Sequence, residues 1–248
     1  MAIETTIIIP DTHTPYEDKR ALDIIFKVLD YMRPHRLIVL GDFFDFYQVS
    51  FHDKDPERGR RRLVDDIAYG KERLKQLRRY VKEAYFIEGN HENRLLRYIW
   101  RNAPELAGIG ELHTPYVLGM KELGFHFTGY RQFLKIGKMN FTHDTGDAGA
   151  YAIYKAQQAF EHNIVIGHTH RMGYIVIGNA LGKPHVAAMF GWLGDPEQID
   201  YEHRIKVLRS SVHGFGVGYH DTETGHWTLV PIPIVNHSVI IEGKLIKG

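Results

Sequence analysis

Histidine and carboxylate side chains, the groups that bind metal ions and carry protons, recur at short spacing in this chain. Asp11 and His13 are separated by one residue, and so are His168 and His170. Because residues i and i+2 of an extended segment point to the same side, each pair is expected to reach one metal ion. Asp42 follows a glycine, which leaves its carboxylate room to give one oxygen to each of two metal ions.

Two further side chains complete a candidate ligand set. Asn90 offers a neutral amide oxygen, and His143 offers another ring nitrogen. The set has nitrogen and oxygen donors without sulfur, which suits Mn, Fe, Zn, Co or Ni better than Ca or Mg. Each element also has an ordinary explanation when it is taken alone. Asp42 and Asp45 are compatible with a turn and a helix cap, and a lone His143 with a structural histidine.

Short apolar strands are expected to position these side chains. Apolar runs stop just before the candidate ligands, at residues 6–9, 37–40, 85–87, 139–142 and 164–166. Short β-branched runs closed by Gly or Asp predict buried strands. Helical periodicity lies between them, at residues 21–32, 63–81 and 148–160. Since open α/β sheets place ligands beyond the carboxyl ends of their strands, the polar clusters are expected to converge on one rim.

The final third of the chain has a different pattern. Strand-like runs separated by turns rich in Gly or Asn occupy residues 174–177, 185–189, 214–220, 226–230 and 238–241. These runs predict a second sheet packed on the first. The length of 248 residues and the absence of a repeat or a convincing linker predict a single domain over residues 1–248.

Composition excludes several classes of protein. The chain is 44% hydrophobic and 25% charged, as globular proteins usually are, and it has no cysteine. Disulfides, thiolate metal sites and cysteine nucleophiles are therefore excluded. A signal-peptide pattern and a bilayer-spanning apolar run are both lacking, so a cytoplasmic protein without a membrane partner is expected. With a net charge of +1, binding of nucleic acid would need a local basic patch.

Taken in order, the motifs resemble those of the calcineurin-like metallophosphoesterase superfamily. That pattern is D-x-H, G-D-x-x-D, G-N-H-[ED], a lone H and G-H-x-H, and it is complete within residues 5–170. The matching residues are Asp11 and His13, Gly41, Asp42 and Asp45, Gly89, Asn90, His91 and Glu92, His143, and Gly167, His168 and His170. The resemblance implies an α/β fold, a four-layer α/β/β/α sandwich of two packed mixed sheets flanked by helices.

The resemblance also implies a role for each residue and a hydrolytic reaction. One metal ion would be held by Asp11, His13, Asp42 and His170. The other would be held by Asp42, which bridges the two ions, and by Asn90, His143 and His168. Asp45 would orient a ligand without binding metal. A hydroxide bridging the two ions would attack phosphorus, and His91 would stabilise or protonate the leaving oxygen. Two divalent transition-metal ions are expected, with Mn first and Fe, Zn, Ni or Co as alternatives.

The residue after Asp45 separates this chain from one branch of the superfamily. Phosphoprotein phosphatases and their diadenosine-polyphosphate-cleaving relatives carry Asp-Arg-Gly there, whereas this chain has Phe46. An arginine favours the dianion of a phosphomonoester, so its replacement predicts a preference for phosphodiesters. Phe46, Tyr47 and Phe51 are expected to provide an apolar wall for the second ester group.

Candidate substrate contacts follow the second and third motifs, and they are Tyr47, His52 and Arg94. Tyr47 and His52 are equally compatible with stacking on a base and with packing inside their loop. Arg94 is equally compatible with facing the site and with facing solvent. The basic residues at 58–62 favour a solvated helix start over a nucleic-acid contact.

Two other functions stay open at this point. One is a nuclease that acts on DNA or RNA phosphodiesters. The other is a catalytically silent accessory protein that binds only metal or phosphate. His91 argues against the silent alternative, because a binding module has no need of a proton donor beside the phosphate.

Overall fold

The strands predicted before the ligand motifs are present, and they belong to two different sheets. The structure is a computed structural model that describes residues 2–54, 60–178, 182–199 and 211–248. Its strands are β1 (Ile3–Ile9), β2 (Arg36–Val39), β3 (Glu83–Ile87), β4 (His126–Thr128), β5 (Leu134–Ile136), β6 (Met139–Thr142), β7 (Ile164–Ile166), β8 (Met172–Gly178), β9 (Pro184–Phe190), β10 (Gly214–Asp221), β11 (Trp227–Pro233), β12 (Ser238–Ile241) and β13 (Lys244–Lys247). Its helices are α1 (Lys19–Met32), α2 (Leu63–Arg78), α3 (Arg94–Asn102), α4 (Thr114–Val117), α5 (Met120–Leu123) and α6 (Ala152–Phe160).

The first sheet has six strands in the order β11-β10-β1-β2-β3-β4. Strands β1 to β4 are parallel, so the loops that follow β1, β2 and β3 leave the same edge. Strand β10 pairs antiparallel with β1, and β11 pairs antiparallel with β10. The expectation that the runs at 214–220 and 226–230 belong to the second sheet is therefore wrong. Hydrophobic patterning locates a strand, but it does not identify the distant strand with which it pairs.

The second sheet has five strands in the order β5-β6-β7-β9-β8. Strands β6, β7 and β9 are parallel, and β5 and β8 pair antiparallel at the two edges. Strands β12 and β13 form a separate hairpin, so the expectation that the run at 238–241 belongs to the second sheet is also wrong. Its buried side chains join the apolar cluster that also contains the buried face of α1.

The pleat of β1 accounts for the layering of the molecule. Ile7 and Ile9 point to one face and join the apolar cluster built with α1 and α2. Ile8 points to the other face and joins the cluster between the two sheets, which contains Phe141. Ile153 of α6 packs in a third cluster on the outer face of the second sheet. The layers follow one another as α/β/β/α, which confirms the expected fold class.

Helix α1 shows how a helix beside the rim is held in place. Its N-terminal residue is preceded by Asp18, whose carboxylate accepts hydrogen bonds from the backbone N–H groups of Arg20 and Ala21 at 2.9 and 3.0 Å. The other carboxylate oxygen of Asp18 lies 2.9 Å from Nε2 of His237. Within the described ranges, every helix is too short or too polar to cross a bilayer.

Candidate metal centre

Imidazole and carboxylate groups meet where the loops leave β1, β2, β3, β6 and β7. Three groups of side chains have ligand atoms within 4.8 Å of one another: Asp11, His13 and His170; His13, Asp45 and His91; and Asp42, His143 and His168. The structure thus brings together the six His and Asp residues predicted to bind metal, although their sequence positions span 160 residues.

The first group presents nitrogen and oxygen atoms to one point. Nε2 of His170 lies 3.1 Å from Nε2 of His13 and 3.2 Å from Oδ2 of Asp11. The other ring nitrogen of His13, Nδ1, lies 3.3 Å from Oδ2 of Asp45. Because an ionised carboxylate only accepts, Nδ1 of His13 carries the proton and Nε2 keeps its lone pair. Asp45 therefore orients His13 in the form that binds a metal ion.

The second group repeats this arrangement with a backbone acceptor. Nε2 of His143 lies 3.2 Å from Oδ2 of Asp42 and 3.0 Å from Oδ1 of Asn90. Nδ1 of His143 donates to the carbonyl of Leu40 at 2.8 Å. That carbonyl can only accept, so Nδ1 of His143 carries a proton, and Nε2 is the ring nitrogen that faces Asp42 and Asn90. The ring of His168 lies beside that of His143, with 5.3 Å between the ring centroids.

Four of the candidate ligands have a left-handed backbone conformation. The φ angles of His13, Asp42, His168 and His170 are 56°, 47°, 65° and 55°. Non-glycine residues adopt this region at a cost, and such residues cluster at functional sites. The expectation that His168 and His170, as residues i and i+2 of an extended segment, point to the same metal ion is therefore wrong. His168 and His170 lie in different groups, because the chain between them does not alternate like a strand.

Glycines let the motif loops approach closely. Gly41 has a φ of 93°, and a Cβ atom there would lie 2.7 Å from Nδ1 of His143. A Cβ atom on Gly89 would lie 2.1 Å from Oδ1 of Asp42. Both distances are too short for any side chain, so only glycine permits Asp42 to sit between the loops after β2 and β3.

Glu92 joins those two loops, a role that the sequence interpretation did not assign. Its side chain is fully buried, and Oε2 accepts from the N–H groups of Asp42 and Gly89 at 2.9 and 2.8 Å. Oε1 accepts from the N–H of Phe44 at 2.8 Å. Burial and the nearby Asp42 carboxylate raise the pKa of Glu92, whereas the three N–H donors favour its ionised form. The acidic fourth position of G-N-H-[ED] was the available signal.

His91 lies against the centre with both ring nitrogens engaged. Its Nδ1 lies 3.1 Å from the carbonyl oxygen of Asp45, and Arg94 donates to its Nε2 at 2.8 Å. Its backbone N–H donates to Oδ1 of Asp42 at 2.8 Å. Burial and the Arg94 guanidinium lower the pKa of His91 to about 4. Arg94, which was expected either to face the site or to face solvent, faces the site.

The electrostatics of the centre suit cations. Burial opposes ionisation of Asp42 and Asp45, but the adjacent imidazoles hold the pKa of each carboxyl below its usual range. Burial also lowers the pKa of His143, but the Asp42 carboxylate outweighs it and raises that pKa to about 10. Buried carboxylates that stay ionised demand positive charge beside them. This donor set of imidazole, carboxylate and amide groups fits divalent transition-metal ions.

Two of the three residues predicted to form an apolar wall for the substrate, Phe46 and Tyr47, are buried in the protein instead. Phe46 is 1% exposed and packs in the core, and Tyr47 is 8% exposed and packs with Tyr16 and Trp192. Both side chains are buried because the loop after β2 folds back over the core. Phe51, in contrast, is 58% exposed.

Two of the candidate substrate contacts line one cavity beside the centre. His52 and Arg94 share a cavity of about 230 Å³ with Asn90, whereas Tyr47 does not line it. Arg61 and Arg62 of the basic run are paired with Asp66 and Asp65, as expected of a solvated helix start. Position 58 lies outside the described residues.

Comparison with known proteins identifies relatives of this chain. The chain is 28% identical over 193 residues to the Gene 54 protein of Mycobacterium phage D29, covering 72% of this chain and 71% of the relative. It is 26% identical over 200 residues to the Gene 54 protein of Mycobacterium phage L5, covering 75% and 73%. A Vps29 structure from Entamoeba histolytica superposes with a TM-score of 0.48 at 13% identity, covering 98% of this chain and 96% of that one. The family model for calcineurin-like phosphoesterases matches residues 5–200, and the chain therefore belongs to the calcineurin-like phosphoesterase family.

Proposed function

We propose that this protein is a hydrolase that cleaves phosphodiesters with two divalent transition-metal ions, of which Mn is the first candidate. The observation that carries the proposal is the presence of two groups of potential ligand atoms, Asp11, His13 and His170 and Asp42, His143 and His168, with the atoms of each group within 4.8 Å of one another. The proposed ligands of one ion are Asp11, His13, Asp42 and His170. Those of the other are Asp42, Asn90, His143 and His168. Ions held there would supply a water of lowered pKa and neutralise charge on the phosphoryl oxygens.

The protein's own groups perform the remaining tasks. Asp45 and the Leu40 carbonyl engage Nδ1 of His13 and Nδ1 of His143, so Nε2 is the atom that each ring would offer to a metal ion. This orientation is set before metal or substrate arrives, so binding them requires no rotation of either ring. The donor set would hold the ions in a buried region, where charge stabilisation is stronger than in water.

His91 and Arg94 are proposed to serve the leaving oxygen. His91 is fixed by the Asp45 carbonyl and lies with Nε2 3.8 Å from Oδ2 of Asp42. Arg94 donates to that same Nε2, so a fixed positive charge lies where an alkoxide would develop. Removing one preorganised group that stabilises such a developing charge typically costs on the order of 10²–10³-fold in rate.

Two features favour a diester over a monoester. The cavity lined by Asn90 and His52 has room for a second ester substituent beside the centre. The position that carries an arginine in phosphoprotein phosphatases is the buried Phe46, and the nearby Arg94 is already engaged by Asp45 and His91. In this proposal Arg94 serves the leaving oxygen and does not serve the second charge of a phosphomonoester dianion.

Variants that separate metal binding from catalysis test the proposal. We expect Asp42→Ala to lose metal, and His91→Ala to keep its metal while losing about 10²-fold or more in kcat. The readouts are metal analysis of the purified proteins and turnover of bis-(p-nitrophenyl) phosphate with added Mn²⁺. His126→Ala, which changes an exposed histidine on β4, is the matched control. Equal metal loss in the Asp42 and His91 variants would refute this division of roles.

A further inference from the structure

Helix α3 has a row of arginines that begins beside the candidate metal centre and runs along the helix away from it. Arg94, Arg97 and Arg101 are spaced i, i+3 and i+7, so they lie on one face of the helix. All three line the cavity that also contains Asn90. No acidic residue occurs in α3, whose sequence is RLLRYIWRN. The cavity therefore joins the candidate metal centre to a strip of positive charge.

Phe51 holds the two outer guanidinium groups in place. Their carbon atoms lie 5.7 Å (Arg97) and 5.2 Å (Arg101) from the centroid of the Phe51 ring. Among the residues that the structure describes, neither guanidinium forms an ion pair, unlike those of Arg61 and Arg62. A cation–π contact uses no N–H group as a donor to oxygen, so the planar N–H edges stay available to bind phosphate.

The length of the strip sets the size of the ligand. Seven residues of helix separate Arg94 from Arg101, which corresponds to about 10 Å along the axis. One phosphate at the centre cannot reach Arg101, so the ligand must carry further phosphates along a chain. Tyr98, which is 45% exposed, lines the same cavity and offers an aromatic ring to a group between the phosphates. Regular phosphates with flat groups between them are characteristic of a nucleic-acid strand.

We propose that the strip formed by Arg97, Arg101 and Phe51 binds the phosphates of a single-stranded oligonucleotide whose scissile diester lies at the candidate metal centre. This inference rests on the proposed function and names its substrate class. The near-neutral net charge of +1 makes the strip a local feature, so affinity depends on these few cations.

The test measures binding and hydrolysis separately. Binding is followed by fluorescence anisotropy of a labelled, hydrolysis-resistant phosphorothioate oligothymidylate of about twelve nucleotides on the Mn²⁺-loaded protein. In Arg97→Gln/Arg101→Gln we expect Kd to rise on the order of tenfold or more. The slope of log Kd against log salt should fall by about 1.4, because each single-strand phosphate contact contributes about 0.7. Bound Mn²⁺ in this variant should equal that of the wild type, because neither arginine is a proposed metal ligand, and hydrolysis of bis-(p-nitrophenyl) phosphate is measured on the wild type.

Two further variants separate the strip from general effects of charge and packing. Lys75→Gln/Arg79→Gln removes two exposed cations near the end of α2, at the opposite edge of the sheet, and should bind like the wild type. Phe51→Leu keeps both charges and should raise Kd severalfold with the salt slope unchanged.

The outcomes distinguish this inference from the proposed function. Equal binding by the α2 and α3 double variants would overturn the inference, as would tighter binding of a duplex or a phosphopeptide than of the single strand. If the wild type bound the oligonucleotide through the strip but hydrolysed no diester, the strip would be supported and the proposed function would fail.

Discussion

Replacing Glu92 with glutamine should weaken the hydrogen bonds that connect the loop after β2 to the loop after β3. The carboxylate accepts from three buried N–H groups, and an amide has only one oxygen to offer. In its less costly orientation the nitrogen of the new amide would face the Phe44 N–H, and in the other it would face the N–H groups of Asp42 and Gly89. One buried donor left unsatisfied costs about 1–3 kcal/mol, and charge-assisted bonds are roughly twice as strong as neutral ones. We therefore expect a loss of about 2–3 kcal/mol in the free energy of unfolding.

Guanidinium unfolding of the wild type and the Glu92→Gln variant measures this loss, with metal content determined on the same preparations. Glu122→Gln, which changes an exposed glutamate, should stay within about 0.5 kcal/mol of the wild type. Glu92→Ala should be less stable than Glu92→Gln, because it removes both acceptor oxygens. If Glu92→Gln retained full stability and full metal content, the structural role of the three hydrogen bonds to Glu92 would be refuted.

Three other outcomes follow from the geometry. Under the same metal, kcat/KM for bis-(p-nitrophenyl) phosphate should exceed that for p-nitrophenyl phosphate; a clear preference for the monoester would contradict the diester assignment. Gly41→Ala should lower Tm and metal content, because its Cβ atom would lie 2.7 Å from Nδ1 of His143. Asp18→Ala should cost about 1 kcal/mol in the free energy of unfolding at neutral pH. Burial alone would raise the pKa of Asp18, but the hydrogen bonds from the Ala21 N–H and from His237 lower it below the ordinary value. The stabilisation by Asp18 is therefore complete above the unfolded-state pKa of about 3.9, and it is lost as pH falls through the lower folded-state pKa. Unfolding curves at neutral and acidic pH should therefore show the Asp18→Ala deficit shrinking in acid.

The strands that lead into the motifs were predictable because their signal is local. A β-branched run followed by Gly or Asp needs no information from distant residues, and the runs at 6–9, 37–40 and 164–166 all lie in or at the end of strands. The partner of a strand is not a local property. Strand β10 joins β1 although more than 200 residues separate their first residues, which is why the final strands were assigned to the wrong sheet.

Within the candidate site, residue types were predictable but backbone geometry was not. The left-handed conformations of His168 and His170 arise from the turn after β7, and simple strand alternation gave the wrong direction for that pair. The burial of Phe46 and Tyr47 depends on side chains far away in sequence, such as Trp192. Glu92 is a similar case, because its role appears only when the loops after β2 and β3 are brought together.

Titration of metal-free protein with Mn²⁺ tests the central claim most directly. Turnover of bis-(p-nitrophenyl) phosphate and bound Mn²⁺ are measured together as metal is added to the stripped protein. The two groups of potential ligand atoms, one of which contains Asp42, predict no turnover without metal, and activity that saturates when about two ions are bound per chain. Full turnover by the exhaustively stripped protein would contradict metal-dependent hydrolysis, and saturation at one ion would contradict a centre with two.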